Sequence, residues 1–157
     1  MTWRGSTTVR DRVFASLPYL LPLLHGLFFA KSFFNVFPAL QVLLLPLLPL
    51  LYLYSLPLAS LIIFLGLFFG VVRNERIPHF IRFNAMQALL VDIMLVIVSL
   101  ILPILGKMNG IDFVATSLSN FVFLGVIAIV GFSVVQSLRG LYAEIPTLSE
   151  AVYMQVR

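Results

Sequence analysis

Between residues 33 and 54 the chain reads FFNVFPALQVLLLPLLPLLYLY, uncharged, rich in leucine and interrupted by Pro38, Pro46 and Pro49. Whether this stretch crosses a membrane decides the fold. It is apolar and long enough to span, since a transmembrane helix needs about 20 such residues. Its prolines argue against that. Each removes a backbone donor and strains the helix, and hydrocarbon tolerates the freed carbonyl only where protein or water re-satisfies it. The stretch therefore reads as a broken interfacial or re-entrant segment, with Tyr52 and Tyr54 as headgroup anchors.

Outward from this segment, the chain finds its solvent in a bilayer. Of its 157 residues 61% are apolar and only 10% charged, where a soluble domain needs roughly a quarter charged. That excludes a disordered chain and a soluble enzyme. Ten basic and six acidic residues give a net charge of +4, too small and scattered an excess to grip nucleic acid. The absence of cysteine excludes a disulfide framework, a thiolate metal site and a cysteine nucleophile.

Gaps between charges then mark the spans, because a charge in mid-membrane is costly. They run over residues 13–30, 57–72, 83–106 and 113–138. The first follows Arg4, Arg10 and Arg12 and imitates a signal peptide, but Asp11, Pro18, Pro22 and bulky Phe28 fit that poorly. The second is short, so Arg73 is expected to snorkel. No internal repeat or appended soluble domain is visible, so residues 1–157 read as one membrane domain. The expected fold is an all-α integral membrane four-helix bundle with the proline-broken segment between helices 1 and 2.

Charge counting tests that choice independently. With residues 33–54 not crossing, Arg4, Arg10, Arg12, Arg73, Arg76, Arg82, Arg139 and Arg157 share one side, against Lys31 and Lys107 on the other. The positive-inside rule reads this as both termini cytoplasmic or stromal. A fifth span would translocate one set of arginines and destroy the asymmetry.

Asp92 is the polar oddity of the third span. At about 1.5 Å per residue from Phe83 it lies roughly 14 Å deep, near the middle of a hydrocarbon core ~30 Å thick. Insertion there costs ~2.5–3.5 kcal/mol, which the surrounding aliphatic residues can offset, but not on a lipid face. At 100° per residue Asn84, Ala88, Asp92 and Ser99 share one sector, with Gln87 beside it. The functional reading of this stripe is a hydrophilic path or a contact for a translocating chain. The plainer reading is interhelical glue. His25 in the first span is a candidate partner of Asp92, although a lone histidine is more often a structural hydrogen-bonder than a proton relay. On the fourth span Gly125, Ala128 and Gly131 are small enough to admit another backbone. Asn120 and Gln136 put polar points on more than one of its faces.

The loop RNERIPHFIR, Arg73 to Arg82, reads first as topogenic charge suited to lipid headgroups. His25 and His79 lie too far apart, and the carboxylates at too many depths, for a metal site. No Gly-x-Ser-x-Gly elbow, His-Glu-x-x-His helix or P-loop occurs. No catalytic, cofactor or metal residue is assigned.

Two stretches go beyond composition. RNERIPHFIRFNAMQALLVDI, Arg73 to Ile93, and GLYAEIPTLSEAVYMQVR, Gly140 to Arg157, resemble the signatures of the twenty-kilodalton Tic subunit family. That family comprises a chloroplast inner-envelope import component with its cyanobacterial and plastid-encoded relatives. YLLPLLHG (Tyr19 to Gly26) and LLLPLLPLLYLYSLP (Leu43 to Pro57) extend the likeness over most of the chain. The resemblance implies four spans with both termini stromal or cytoplasmic, a role in passing precursor polypeptides, and no enzyme activity or cofactor. It marks Arg73, Arg76, His79, Arg82, Asn84, Gln87 and Asp92, and in the tail Glu144, Pro146, Glu150 and Tyr153, without giving each a task. Plant members carry a long transit peptide, whereas here the first span begins by Val13, which favours a cyanobacterial or plastid-encoded member.

The leading expectation is a translocon component of the plastid inner envelope or cyanobacterial plasma membrane, offering a polar route or docking surface to an extended chain. Four helices alone make too small a conduit, so its expected partners are membrane lipid, other translocon subunits, precursor polypeptides and further copies of itself, with no nucleic acid. The loop and tail residues Arg73, Arg76, His79, Arg82, Glu144 and Glu150 are candidate stromal-side contacts. A solute or ion carrier using Asp92 and His25, and a non-conducting assembly scaffold, are the alternatives.

Overall fold

The structure, a computed structural model, describes residues 7–107 and 110–156; Arg4 and Arg157 of the charge count lie outside them. The described residues form helices and turns, with no strand. The first rod, Val9–Val36, consists of α1 (Val9–Ser16), α2 (Leu20–Leu27) and α3 (Lys31–Val36), joined by 3-10 turns at Leu17–Tyr19 and Phe28–Ala30. Thr8 starts it with a reciprocal cap. Its hydroxyl accepts from the Asp11 amide at 3.2 Å, and the Asp11 carboxylate accepts from the Thr8 amide at 3.0 Å, so two otherwise orphan donors are satisfied. Pro18 and Pro22 each lack the donor that would continue the ladder. The rod tightens around Pro18 instead of ending.

Phe37, at φ −121° and ψ 68°, does end the rod, because the following Pro38 disfavours the α region for its predecessor. Pro38–Leu47 winds as a 3-10 helix and continues into α4 (Leu48–Ser55). Across these two elements Tyr54 alone is buried. Tyr52 is 71% exposed and Tyr54 6%, since a two-residue step turns about 200° around a helix. Tyr54 thus faces the bundle and not the headgroups expected for it.

Leu58, at φ 63°, turns the chain into α5 (Ala59–Leu67), which finishes in a π turn, Phe68–Val72. Two long helices follow, α6 (His79–Leu105) and α7 (Asp112–Leu138), and then the short α8 (Leu148–Gln155). Among the described residues four helices are long and apolar enough to cross a membrane: Val9–Val36, Pro38–Ser55, His79–Leu105 and Asp112–Leu138. Ala59–Val72 is apolar but shorter. By length, then, the proline-rich segment stands where the sequence reading put residues 57–72. Only 6% of its residues are buried, against 50% in the most apolar part of the first rod, so it lies outside the packed bundle.

α6 is the hub. Its Ala88, Val91 and Leu95 pack with Tyr19 and Phe29 of the first rod and Phe123 and Val126 of α7. Its Phe83, Met86 and Leu89 pack with Leu21, Leu24, Val72 and Val152. The rod meets α7 closely at Gly26, where an added Cβ would stand 2.7 Å from Val126 Cγ1. Val126 is buried and β-branched, so it has little freedom to yield. Gly125 and Gly131, though small enough to admit another backbone, have none against them: a Cβ at either meets nothing within 4 Å. Gly26→Ala is therefore expected to lower stability by about 1–2 kcal/mol, overpacking outweighing the gain in helix propensity. Gly125→Ala should be neutral or mildly stabilising. Thermal unfolding in detergent micelles checks the pair, and equal shifts would refute this packing.

The N-terminal turn, the 73–82 loop and the tail meet at one end of the bundle. A Cβ at Gly140, which has φ 76°, would lie 2.5 Å from Thr7 Oγ1 and 2.9 Å from Arg12 Nε. Glycine is required there on both counts.

Candidate functional site

The polar side chains of α6 from His79 to Asp92 fall into three layers, counted from that end towards mid-helix. In the first, His79 Nε2 donates to the Val156 carbonyl at 3.2 Å, and a neutral ring then accepts the Tyr142 hydroxyl at Nδ1, 3.0 Å away. Phe83 packs against Tyr142 and Tyr153 with ring centroids 4.9 Å apart in both cases. Arg82, although charged, is buried, and its Nε donates to the Val72 carbonyl at 2.9 Å. It thereby satisfies one of the carbonyls orphaned where Phe68–Val72 ends. Tyr153 donates to the Glu144 carboxylate at 3.1 Å. Of the six expected loop and tail contacts, His79 and Arg82 turn inward and Glu144 engages the tail's own Tyr153. Arg73, Arg76 and Glu150 remain on the surface.

The second layer is closed. Asn84 and Gln87 are both 0% exposed. Asn84 Oδ1 accepts from the Tyr19 hydroxyl at 3.0 Å and the Ser137 hydroxyl at 2.9 Å, while its Nδ2 donates to the Phe80 carbonyl at 2.8 Å. Gln87 Nε2 donates to the Tyr19 hydroxyl at 3.0 Å and the Ala143 carbonyl at 2.8 Å. Its Oε1 accepts from Ser149, whose Oγ in turn accepts the Ile145 amide at 2.7 Å. First rod, α6, α7 and tail are thus tied by one network with its amide groups satisfied, the arrangement that makes buried polar groups rigid and specific.

The third layer is open. Asp92, 3% exposed, accepts from His25 Nδ1 at 2.9 Å. With the carboxylate ionised it can only accept, and the ring proton then sits on Nδ1. The Tyr54 hydroxyl approaches the same Oδ1 at 3.4 Å, long for an O–H···O bond and correspondingly weak. The His25 ring stacks on Phe29 and leans on Tyr54. Beside the pair lies a cavity of about 350 Å³, bounded by Ser60 and Phe64 of α5 and by Ile93, Val96 and Ile97 of α6. Ser99 joins none of these layers. Its hydroxyl donates to the Val96 carbonyl of its own helix at 2.7 Å, the local alternative open to any helical serine.

Tyr19, Ser137, Ser149 and Tyr142 carry these networks, and local periodicity missed all four. Tyr19 had one faint signal: with His25 it is a rare polar tip in an otherwise apolar stretch. On α7, Asn120 Oδ1 and Gln136 Oε1 are buried with no partner among the described residues. Among the described residues no cluster of three side chains could hold a metal.

Comparison with known proteins bears on this arrangement. The family described as chloroplast import apparatus Tic20-like matches residues 8–152. A Tic20 family protein of Synechocystis sp. is 48% identical over 94% of both chains. TIC 20-II of Arabidopsis thaliana chloroplasts is 36% identical, over 99% of this chain and 78% of its own. The Tic20 family protein Ycf60 of Gracilaria tenuistipitata is 35% identical, over 95% of this chain and 76% of its own. The matched region contains every side chain of the three layers except Tyr153 and Val156.

Proposed function

Because the chain belongs to the Tic20 family of the chloroplast import apparatus, a family of translocon components and not of enzymes, we propose that it guides precursor polypeptides past the cavity beside Asp92. It is a multi-pass membrane protein of the plastid inner envelope or a cyanobacterial membrane. In a cyanobacterial member the passing chain would be the cell's own.

Thr8, Arg10 and Arg76 line one groove, so residues 8 and 76 lie at the same end. The chain between them then crosses an even number of times. The first rod makes one crossing, and Pro38–Ser55 with Ala59–Val72 share the return. This supports both termini, the 73–82 loop and the tail lying on the stromal or cytoplasmic side, as the positive-inside rule asks.

One observation carries the mechanistic reading: the Asn84–Gln87 layer is sealed while the Asp92 layer opens onto a cavity. A route through the middle of a single chain would have to breach a satisfied network. A route along the flank of α6 meets Asp92, Ile93, Val96 and Ile97 with α5 as one wall. Another subunit, or a second copy, supplies the other wall. A photo-crosslinking residue at Ser60 or Ile97 is expected to capture an arrested precursor, and one at Gln87 to capture none. Adducts with lipid alone from Ser60 and Ile97 would end this reading.

A further inference from the structure

At the loop-bearing end, where the first rod leaves the polar side, a groove of about 730 Å³ lies between that rod, the end of α5 and the start of α6. Its floor is apolar, formed by Phe14 and Leu17 of the rod and Leu67 and Val71 of the α5 segment. Arg10 and Arg76 stand on its lining from opposite elements. Arg10 is carried over the Phe14 ring, 5.5 Å from its centroid, which holds the guanidinium above apolar surface. The acid within the groove, Asp11, accepts the Thr8 amide at 3.0 Å and keeps its charge, which offsets part of that of neighbouring Arg10. Glu75, next to Arg76, lines a different cavity with Arg73 and Arg82. Among the described residues neither Arg10 nor Arg76 has an ion-pair partner.

Two guanidiniums against a single carboxylate leave the groove net positive above an apolar trough, at the depth where a span begins, which complements a molecule with an anionic head and a hydrocarbon tail. We propose that this groove binds an anionic glycerolipid, its phosphate or sulfonate head between Arg10 and Arg76 and an acyl chain along Leu17, Leu67 and Val71. A free anion would not need the floor, and a neutral lipid would not need the arginines. The site involves none of the polar layers of α6 and requires no passing polypeptide, so it stands or falls apart from the translocation reading.

Native mass spectrometry of the delipidated, detergent-purified full chain tests this, titrated with phosphatidylglycerol and with phosphatidylcholine. Phosphatidylglycerol should be retained preferentially. The R10Q/R76Q double variant should weaken that retention roughly 10- to 30-fold, two arginine contacts at about fivefold each. R73Q/R139Q, which removes the same charge from the same side, should stay within about twofold of the parent chain. Leu17→Trp, at a half-exposed position on the floor, should weaken binding without changing the unfolding temperature. Equal losses in the two double variants would reduce the effect to diffuse surface charge. Equal retention of phosphatidylcholine, or displacement by soluble glycerol phosphate as effective as by the lipid, would overturn the site.

Discussion

Gln87→Leu should loosen the tail from the bundle and cost roughly 3 kcal/mol, for three hydrogen bonds at the ~0.6–1.7 kcal/mol measured inside membranes. Leucine nearly conserves the volume, so the loss isolates polar pairing from packing. The damage is directional. Tyr19 keeps Asn84 as an acceptor, and Ser149 keeps the Ile145 amide. The Ala143 carbonyl loses its donor in a site 0% exposed, which by itself costs ~1–3 kcal/mol. The expected signature is faster amide exchange and proteolysis over residues 143–156, with α6 and α7 still protected. Unchanged tail protection would mean that His79 and the aromatic cluster hold the tail unaided, and that the second layer is not the tie described above.

The contrast between that layer and its neighbour shows what the sequence made legible. A period of 3.6 put Asn84, Ala88 and Asp92 on one face, and the charge spacing located the first rod, α6 and α7, though not the second long helix, Pro38–Ser55, because both are local properties of the chain. What the stripe does is not local. Asn84 and Gln87 are sealed by Tyr19, Ser137, Ser149 and Ala143, which reach α6 from three other parts of the chain. No spacing within α6 announces them. For these two residues the plainer reading, interhelical glue, describes the geometry. Ser99 shares their angular sector but lies beyond the reach of those partners and bonds its own helix. Gly125 and Gly131 have no backbone against them for a related reason. A small residue permits approach but does not compel it, and the backbone that comes close does so at Gly26. The proline-rich segment was legible as broken but not as latched. That Tyr54 turns inward depends on where α4 begins its turn relative to Asp92, which the run of leucines does not encode.

Asp92 is where the proposed route, the carrier alternative and the stability of the fold separate. From His79 it lies about 20 Å along α6, close to mid-membrane, and its carboxylate holds both His25 and the one buried side chain of Pro38–Ser55. Asp92→Leu removes the acceptor and leaves the His25 Nδ1–H and the Tyr54 hydroxyl facing a largely apolar cavity. The expected cost is about 3 kcal/mol, moderated by any water the cavity admits, with protease-sensitive bonds appearing between Pro38 and Ser55. Asp92→Asn keeps an amide oxygen for a neutral His25 and should cost no more than about 1 kcal/mol. That gap makes the D92N variant the informative one for function. If Asp92 acts in an ion or solute carrier, liposomes bearing D92N lose a pH-dependent flux that the parent chain shows, despite near-normal stability. On the route proposed above, the parent chain shows no such flux, and D92N still captures precursor through Ser60 at a level that follows its stability. A parent chain that moves a defined solute, and stops when only this carboxylate is neutralised, would displace the polypeptide route in favour of the carrier.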